Sequence, residues 1–336
     1  MTNMGRVNGV WYISNSSVQA FKQCRRNWWL RWYRGLVPQV SMPLEKRDSG
    51  TRVHLALQGW YVPEGIPRVD PREGIELAIM ADQQVVHDHL VATGWEQPPH
   101  EHPHYAKLIK ANDTERIMIA GYMDWLEETG ADAYITVIAP EMQLTAHLPE
   151  LERDDIVITG KLDVRVRRVS DGARMVVDHK TRDIMPKLPE LQRDEQPLHY
   201  ELLEELTSDT ETDYCDGAMF NVIRRVRRTP TAKPPFYARH FIPHNTRARA
   251  SFRRRLVSVI RDMISVEAAL EAGADHRDVV YQTPSRDCDW KCSFASVCTM
   301  FDDGSYVEDL LKDQYRPENP LHYYGDALQL PDRTGE

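Results

Sequence analysis

No stretch of this sequence approaches the roughly 20 consecutive apolar residues that a membrane-spanning helix needs. The opening MTNMGRVNGVWY has none of the charged, apolar and small-residue succession of a signal peptide. The expectation is a soluble, cytoplasmic protein with no membrane association. The G-x-x-x-x-G-K-[ST] phosphate loop is also missing, which excludes an ATP-driven motor. Nor is there an excess of positive charge: 42 Lys and Arg stand against 51 Asp and Glu, a net charge of −9. That balance excludes indiscriminate polyanion binding over the whole surface but leaves room for a local basic groove, because steering depends on where charge sits. Cysteine is scarce, and three of the five fall between Cys288 and Cys298. In a cytosolic chain such crowding points to metal rather than to disulfides. What is plentiful is core-forming material: with 41% hydrophobic residues over 336 positions, the chain can bury a full core as one large domain or one domain plus an appendage.

The most informative stretch runs from Ile156 to Tyr200. Two β-rich runs, IVITGKLDVRVRRV and ARMVVDHK, flank Ser170-Asp171-Gly172, and an Asp-Gly turn between such runs is a strong hairpin signal. Strand side chains alternate faces, so Asp178 and Lys180 project together while His179 points away. A carboxylate and an ammonium thus stand side by side, with a second carboxylate, Asp163, available from the neighbouring strand. Such a group can hold a hard divalent cation while the lysine orients or activates a water. On its own a D-x-K triplet is usually a solvated surface ion pair.

The triplet does not stand alone. Gly160-Lys161-Leu162-Asp163, Asp178-His179-Lys180 and Gln196-Pro197-Leu198-His199-Tyr200 resemble, in order and spacing, the RecB-type branch of the PD-(D/E)XK nuclease superfamily. The resemblance implies a restriction-endonuclease-like α/β core, a central mixed β-sheet flanked by helices. It makes Asp163 and Asp178 metal carboxylates and Lys180 the catalytic lysine. Gln196 and Tyr200, four apart on one helix face, would support Lys180 or contact the substrate backbone. His54, four residues after Gly50 in an expected helix over 44–61, would be a further metal ligand, with the backbone carbonyl of His179. Glu141, in an expected strand over 134–148, takes the place of the acidic residue that opens the family's sheet. It stays open whether it binds a second metal, orients a neighbour or is an exposed strand residue. The implied cofactor is Mg²⁺ or Mn²⁺, and an imidazole ligand favours the latter.

The remaining segments give coarser readings. Ser14 to Arg34 reads as one helix with Ser and Asn for N-cap chemistry, Gly35 as its stop and Cys24 inside it; its aromatics are core material rather than a base-stacking platform. Residues 71–126 read as helices broken by a Pro-rich loop, and His100, His102 and His104 there belong to irregular structure rather than a metal strip. Strands are expected over 214–223 and 236–242, joined by Arg224-Arg225-Val226-Arg227-Arg228, which is either a solvated loop or a clamp on DNA phosphates. A long helix follows from Asn245 to Glu271.

Three cysteines, Cys288, Cys292 and Cys298, with Cys24 as a natural fourth, resemble the ligand layout of iron–sulfur RecB-type nucleases, among them AddB and the CRISPR-associated adaptation exonucleases. The resemblance implies a [4Fe-4S] cluster joining the N- and C-terminal segments. The C-x₃-C-x₅-C spacing departs from the C-x₂-C of many relatives, and a structural Cys₄ Zn²⁺ site is the competing reading. Cys215 is expected in the core. The domain expectation is one nuclease domain over 1–301, with a helical part over 14–130, a catalytic sheet and helix over 131–243 and a cluster segment over 244–301, then an extended tail over 302–336. The implied function is metal-dependent exonuclease action on DNA, single-stranded or with free ends, in replication, recombination or repair. The alternative is an inactive or partner-dependent DNA-binding subunit of a DNA-processing or CRISPR spacer-acquisition complex. A homo-oligomer or a DNA-processing protein partner fits either.

Overall fold

A computed structural model describes residues 3–39, 46–208 and 215–322. The chain falls into two units, one built from Met42–Met142 and Leu162–His244, the other from Met1–Ser41, Gln143–Lys161 and Asn245–Glu336. Each unit collects pieces distant along the chain.

The first unit begins with three helices, α1 (Lys46–Gln58), α2 (Pro71–Ala92) and α3 (Pro103–Thr129). The Asp70 carboxylate caps α2 by accepting from the Arg72 amide at 2.8 Å, with Pro71 as first residue. His102 caps α3 in the same way through its Nδ1, which accepts from the His104 amide at 3.2 Å. His102 and His104 are thus helix-entry residues, and His100 lies in the 3₁₀ turn before them.

Strands follow: β1 (Ile135–His147), β2 (Ile156–Arg168) and β3 (Arg174–Arg182). After helix α4 (Gln196–Leu206) come β4 (Cys215–Arg224) and β5 (Tyr237–Pro243). The expected start of β4 at Tyr214 lies outside the described residues, as do Leu44 and Glu45 of the expected 44–61 helix.

Asp171-Gly172 makes the turn between β2 and β3, Gly172 taking φ +74° where side-chain-bearing residues are strained. The two strands pair antiparallel, Val164 opposite Val177. β3 runs parallel to β4, with His179 in register with Asn221, and β4 runs antiparallel to β5. The result is the expected α/β fold, a mixed sheet flanked by helices. On one face Val164, Val166, Met175, Val177, Met219 and Ile223 pack against Val53, Leu57, Ile79, Met118 and Tyr122 of α1–α3. Phe220 and Val222 turn to the other face with Leu191 and Ile242, the side on which α4 packs on β3 and β4. Burying apolar side chains on both faces explains why the strands read as nearly continuous Val and Ile runs.

In the second unit, Val10–Ser14 runs parallel to Ile156–Thr159, the part of β2 that belongs to this unit, Trp11 opposite Ile156. Ser14 then caps the helix Asn15–Gln23, accepting from the Ser17 amide at 3.2 Å. The single helix expected over 14–34 is corrected here. Cys24 takes an extended backbone (φ −159°, ψ 112°) between Asn15–Gln23 and Arg25–Trp28, and Trp29–Tyr33 continues as π-helix. The break costs no backbone hydrogen bond at Cys24: its amide donates to the Ala20 carbonyl at 2.9 Å, and its carbonyl accepts from Trp28 at 3.0 Å.

The helix Thr246–Glu271 matches its expected span, with Asn245 as its cap. The extended tail is corrected as well: residues 307–314 form a helix and Tyr315–Pro317 a strand paired antiparallel with Leu36–Pro38. Val307, Leu311 and Tyr315 are buried, an i, i+4, i+8 stripe that the surrounding charges and prolines obscured, and Leu321 beyond them is buried too. Residues 323–336 lie outside the described part. Among the described residues, no helix is long and apolar enough to cross a membrane.

Candidate active site

The residues singled out from the hairpin meet where the pairing of β2 with β3 ends, within the first unit. Asp163 and Asp178 each lie one residue beyond the Val164–Val177 rung. The Asp163 carboxylate accepts the His179 amide proton at 2.7 Å. His54 arrives from α1, its Nδ1 3.4 Å from Asp163 Oδ1 and its Nε2 2.8 Å from the His179 carbonyl oxygen. Gly50, one turn earlier on α1, permits this approach: a Cβ there would lie 3.1 Å from Thr181 Oγ1 of β3. Glu141 of β1 completes the group. Ligand atoms of His54, Glu141 and Asp163 all lie within 4.8 Å of one another. Glu141 holds φ +48° inside a strand, a conformation that costs about 1–3 kcal/mol and persists only where surrounding structure enforces it.

One imidazole nitrogen and two carboxylates, beside the His179 carbonyl, form a donor set that suits a divalent cation, and the nitrogen favours Mn²⁺ over Mg²⁺. The electrostatics agree. Burial opposes a charge on His54, but Asp163, with Asp178 and Glu141, outweighs it and lifts the imidazole to about 9. Burial pushes Asp163 up, yet the His54 charge and the hydrogen bonds from His54 and His179 bring it down to about 2. The ring of His179 is pushed down to about 3 by burial. The carboxylates that raise His54 are the same ones whose charge a metal cation would offset.

Asp178 is a separate element of the site. Its Oδ2 pairs with Lys180 Nζ at 2.7 Å, and the two side chains share a strand face as alternation requires. Burial raises Asp178 to about 6 against the pull of Lys180. Lys180 Nζ also donates to Gln196 Oε1 at 2.7 Å, and Gln196 Nε2 donates to the Tyr200 hydroxyl at 2.7 Å. Gln196 and Tyr200 occupy one face of α4, and the Gln196 amide is fixed by Asp194 Oδ1 at 3.0 Å. Asp163, Asp178 and Tyr200 are more than nine-tenths buried and Lys180 nearly so, with Gln196 half-buried beside them, which strengthens the charge contacts among them.

A family model described as the PD-(D/E)XK nuclease superfamily matches residues 12–299. The chain belongs to the PD-(D/E)XK nuclease superfamily. Its members are generally metal-dependent nucleases, and the His54–Glu141–Asp163 group is an acidic pocket of the kind such an enzyme needs. No curated protein matches the chain. The solved structure of SSO0001 aligns at 14% identity with a TM-score of 0.27, covering 58% of this chain and 73% of that one, a likeness too slight to bear on function.

In this nuclease-superfamily chain the arginines of the 224–228 loop are committed to protein partners. Arg224 donates to the carbonyls of Asp183 and Lys233, Arg225 pairs with Asp183 at 2.8 Å, and Arg227 reaches Asp113 at 3.3 Å. Arg228 donates to the Gly121 carbonyl at 3.0 Å with its guanidinium over the Tyr237 ring. Cys215 is buried, as expected.

In the second unit, Cys24, Cys288, Cys292 and Cys298 all line one cavity of about 610 Å³. All are free thiols. The break at Cys24 turns its sulfur toward the 282–285 segment, where the Thr283 amide donates to Sγ at 3.4 Å; the Ser285 amide donates to Cys288 Sγ at 3.3 Å. Burial raises the Cys292 and Cys298 thiols, and the neighbouring cysteines push the same way. Four sulfurs around one cavity, with amide donors aimed at two of them, fit a thiolate-ligated metal centre.

Sequence reasoning passed over a set of polar residues beside His179: Tyr61, Tyr122 and Asn221, all buried, with Arg239 and the half-buried Asp132. The available signal was Asn221, a lone amide in the apolar run Ala218-Met219-Phe220-Asn221-Val222-Ile223, since an unpaired amide in such a strand would be costly.

Proposed function

We propose that this protein is a divalent-metal-dependent DNA exonuclease of the RecB-like type, acting in replication, recombination or repair. The observation that carries the reading is the meeting, in one unit, of the His54–Glu141–Asp163 group with the Asp178–Lys180–Gln196–Tyr200 chain. His54, Glu141, Asp163 and the His179 carbonyl would hold Mn²⁺ or Mg²⁺, with Asp178 at the margin of the same site. The bound cation supplies charge stabilisation at the scissile phosphate and its leaving oxygen. Lys180, held by Asp178 and Gln196, positions the attacking water. Gln196, held by Tyr200, would support Lys180 or contact the substrate backbone. The arginines of the 224–228 loop would clamp the DNA backbone only by giving up the partners they hold here.

Cys24, Cys288, Cys292 and Cys298 would hold a [4Fe-4S] cluster with a structural role, zinc being the competing occupant. Phosphodiester hydrolysis exchanges no electrons.

Linear and circular DNA of the same sequence, labelled at the 5′ or the 3′ end, separate the alternatives. Degradation confined to linear DNA, with mononucleotides or short oligonucleotides released from one end, supports the exonuclease reading. Cutting of covalently closed circles at the same rate would replace it with an endonuclease.

A further inference from the structure

Asn221 lies in the middle of β4, wholly buried and in register with His179 of β3. Its Nδ2 is 2.9 Å from His179 Nδ1 and 2.8 Å from the Tyr122 hydroxyl. The two protons of that amide nitrogen therefore have two acceptors, and Oδ1 takes the weaker contact from Arg239 Nε at 3.4 Å. The set continues in one direction. Tyr122, already accepting from Asn221, meets the Tyr61 hydroxyl at 2.5 Å, and Tyr61 in turn donates to Asp132 Oδ1 at 3.2 Å. Arg239 of β5 donates to both hydroxyls, at 2.7 and 3.1 Å, and pairs with Asp132. The His179 ring also lies against the Tyr61 ring, centroids 5.2 Å apart.

The other end of this network is the candidate metal site. The His179 side chain is held by Asn221, while the backbone of the same residue gives its N–H to Asp163 and turns its carbonyl toward His54. Because a fixed ring and a fixed backbone belong to one residue of a paired strand, holding one restricts the other.

We infer that Asn221, backed by Tyr122, is a positioning residue for the metal site, keeping the His179 backbone in the orientation that presents its carbonyl beside His54 and its N–H to Asp163. The inference rests on the reading of His54, Asp163 and the His179 carbonyl as metal ligands. It assigns to the Tyr61–Tyr122–Asn221–Arg239 network a function beyond core stability, that of the outer hydrogen-bonded partners that orient metal ligands elsewhere.

The test is Mn²⁺ affinity by titration calorimetry, alongside metal-free thermal unfolding, for wild type, Asn221→Leu, Tyr122→Phe and Tyr237→Phe. Tyr237→Phe is the control: it removes a hydroxyl of the same core that donates to the Met118 carbonyl and has no bond to Asn221 or His179. The expected result is a loss of about tenfold or more in Mn²⁺ affinity for Asn221→Leu and a smaller loss for Tyr122→Phe. Tyr237→Phe lowers the melting temperature with affinity unchanged. Should Asn221→Leu fail to fold, Tyr122→Phe, which removes one oxygen and leaves the ring packing, decides the matter. Wild-type affinity in the folded variants would reduce the network to core stabilisation and overturn the inference alone. A wild-type protein that binds no Mn²⁺ would overturn the metal-site reading and this inference with it.

Discussion

Asp163 Oδ2 accepts the amide proton of His179 at 2.7 Å. A carboxylate of β2 thereby takes a backbone group of β3 at the place where the Val164–Val177 pairing ends. The bond fixes the carboxylate and leaves its second oxygen facing His54 at 3.4 Å. It also separates Asp163 from Asp178 in role, the first grouped with His54 and Glu141, the second paired with Lys180.

Lys180→Met is expected to abolish cleavage while leaving Mn²⁺ affinity within a few-fold of wild type, because Lys180 binds Asp178 and Gln196 rather than the His54–Glu141–Asp163 group. Removing a positioned proton-handling group costs about 10²–10⁴-fold in rate. Rates measured under saturating metal check this, and an active Lys180→Met protein would remove the lysine from the chemistry.

His54→Ala should weaken Mn²⁺ binding, so that part of the lost activity returns at high Mn²⁺. The basis is its position, with one ring nitrogen toward Asp163 and the other toward the His179 carbonyl. A titration of activity against metal concentration reads the shift. Full activity at low metal would make His54 an ordinary helix residue.

Gly50→Ala sets two effects against each other. Alanine gains about 0.5–1 kcal/mol over glycine inside a helix, but its Cβ would lie 3.1 Å from Thr181 Oγ1 and press α1 away from β3. Mn²⁺ affinity is therefore expected to fall without a matching fall in melting temperature, and Thr181→Ala in the same chain should restore it. Unchanged affinity in Gly50→Ala would show that α1 has room to spare at this point.

Much of this was legible in the sequence because local rules and the fold agree there. The Asp-Gly turn, the alternation of Asp178, His179 and Lys180, and the four-residue spacing of Gln196 and Tyr200 are short-range signals, and the fold leaves them as they read. Cys24 was misread as helical because the helix periodicity resumes after it, and one extended residue leaves almost no trace in composition. The 307–321 segment hid its few apolar residues among charges and prolines. Glu141's left-handed backbone and the Asn221 network depend on contacts between residues tens of positions apart, such as Asn221 with Tyr122, and no local pattern encodes those.

Cys24→Ser is expected to remove the metal centre and destabilise the whole protein. Ligands at Cys24 and at Cys288 to Cys298 close a loop of more than 250 residues; for long cross-linked loops the chain-entropy estimate is about 5 kcal/mol, comparable with the net stability of many domains. Wild-type protein purified without oxygen should be brown, with about four irons and four acid-labile sulfides per chain, and the variant colourless and protease-sensitive. One zinc per colourless wild-type chain would put a Cys₄ zinc site in place of the cluster.

The most direct measurement compares hydrolysis of end-labelled linear DNA by wild type and Asp163→Asn, with Mn²⁺ or Mg²⁺ and with EDTA. Asparagine retains an oxygen for the His179 amide but gives up the charge a cation requires, so the fold should persist. The account predicts cleavage by wild type only with metal, and a loss of about 10³-fold or more in Asp163→Asn, the equivalent of several kcal/mol of transition-state stabilisation. Cleavage that persists in EDTA, or at the wild-type rate in Asp163→Asn, would contradict it.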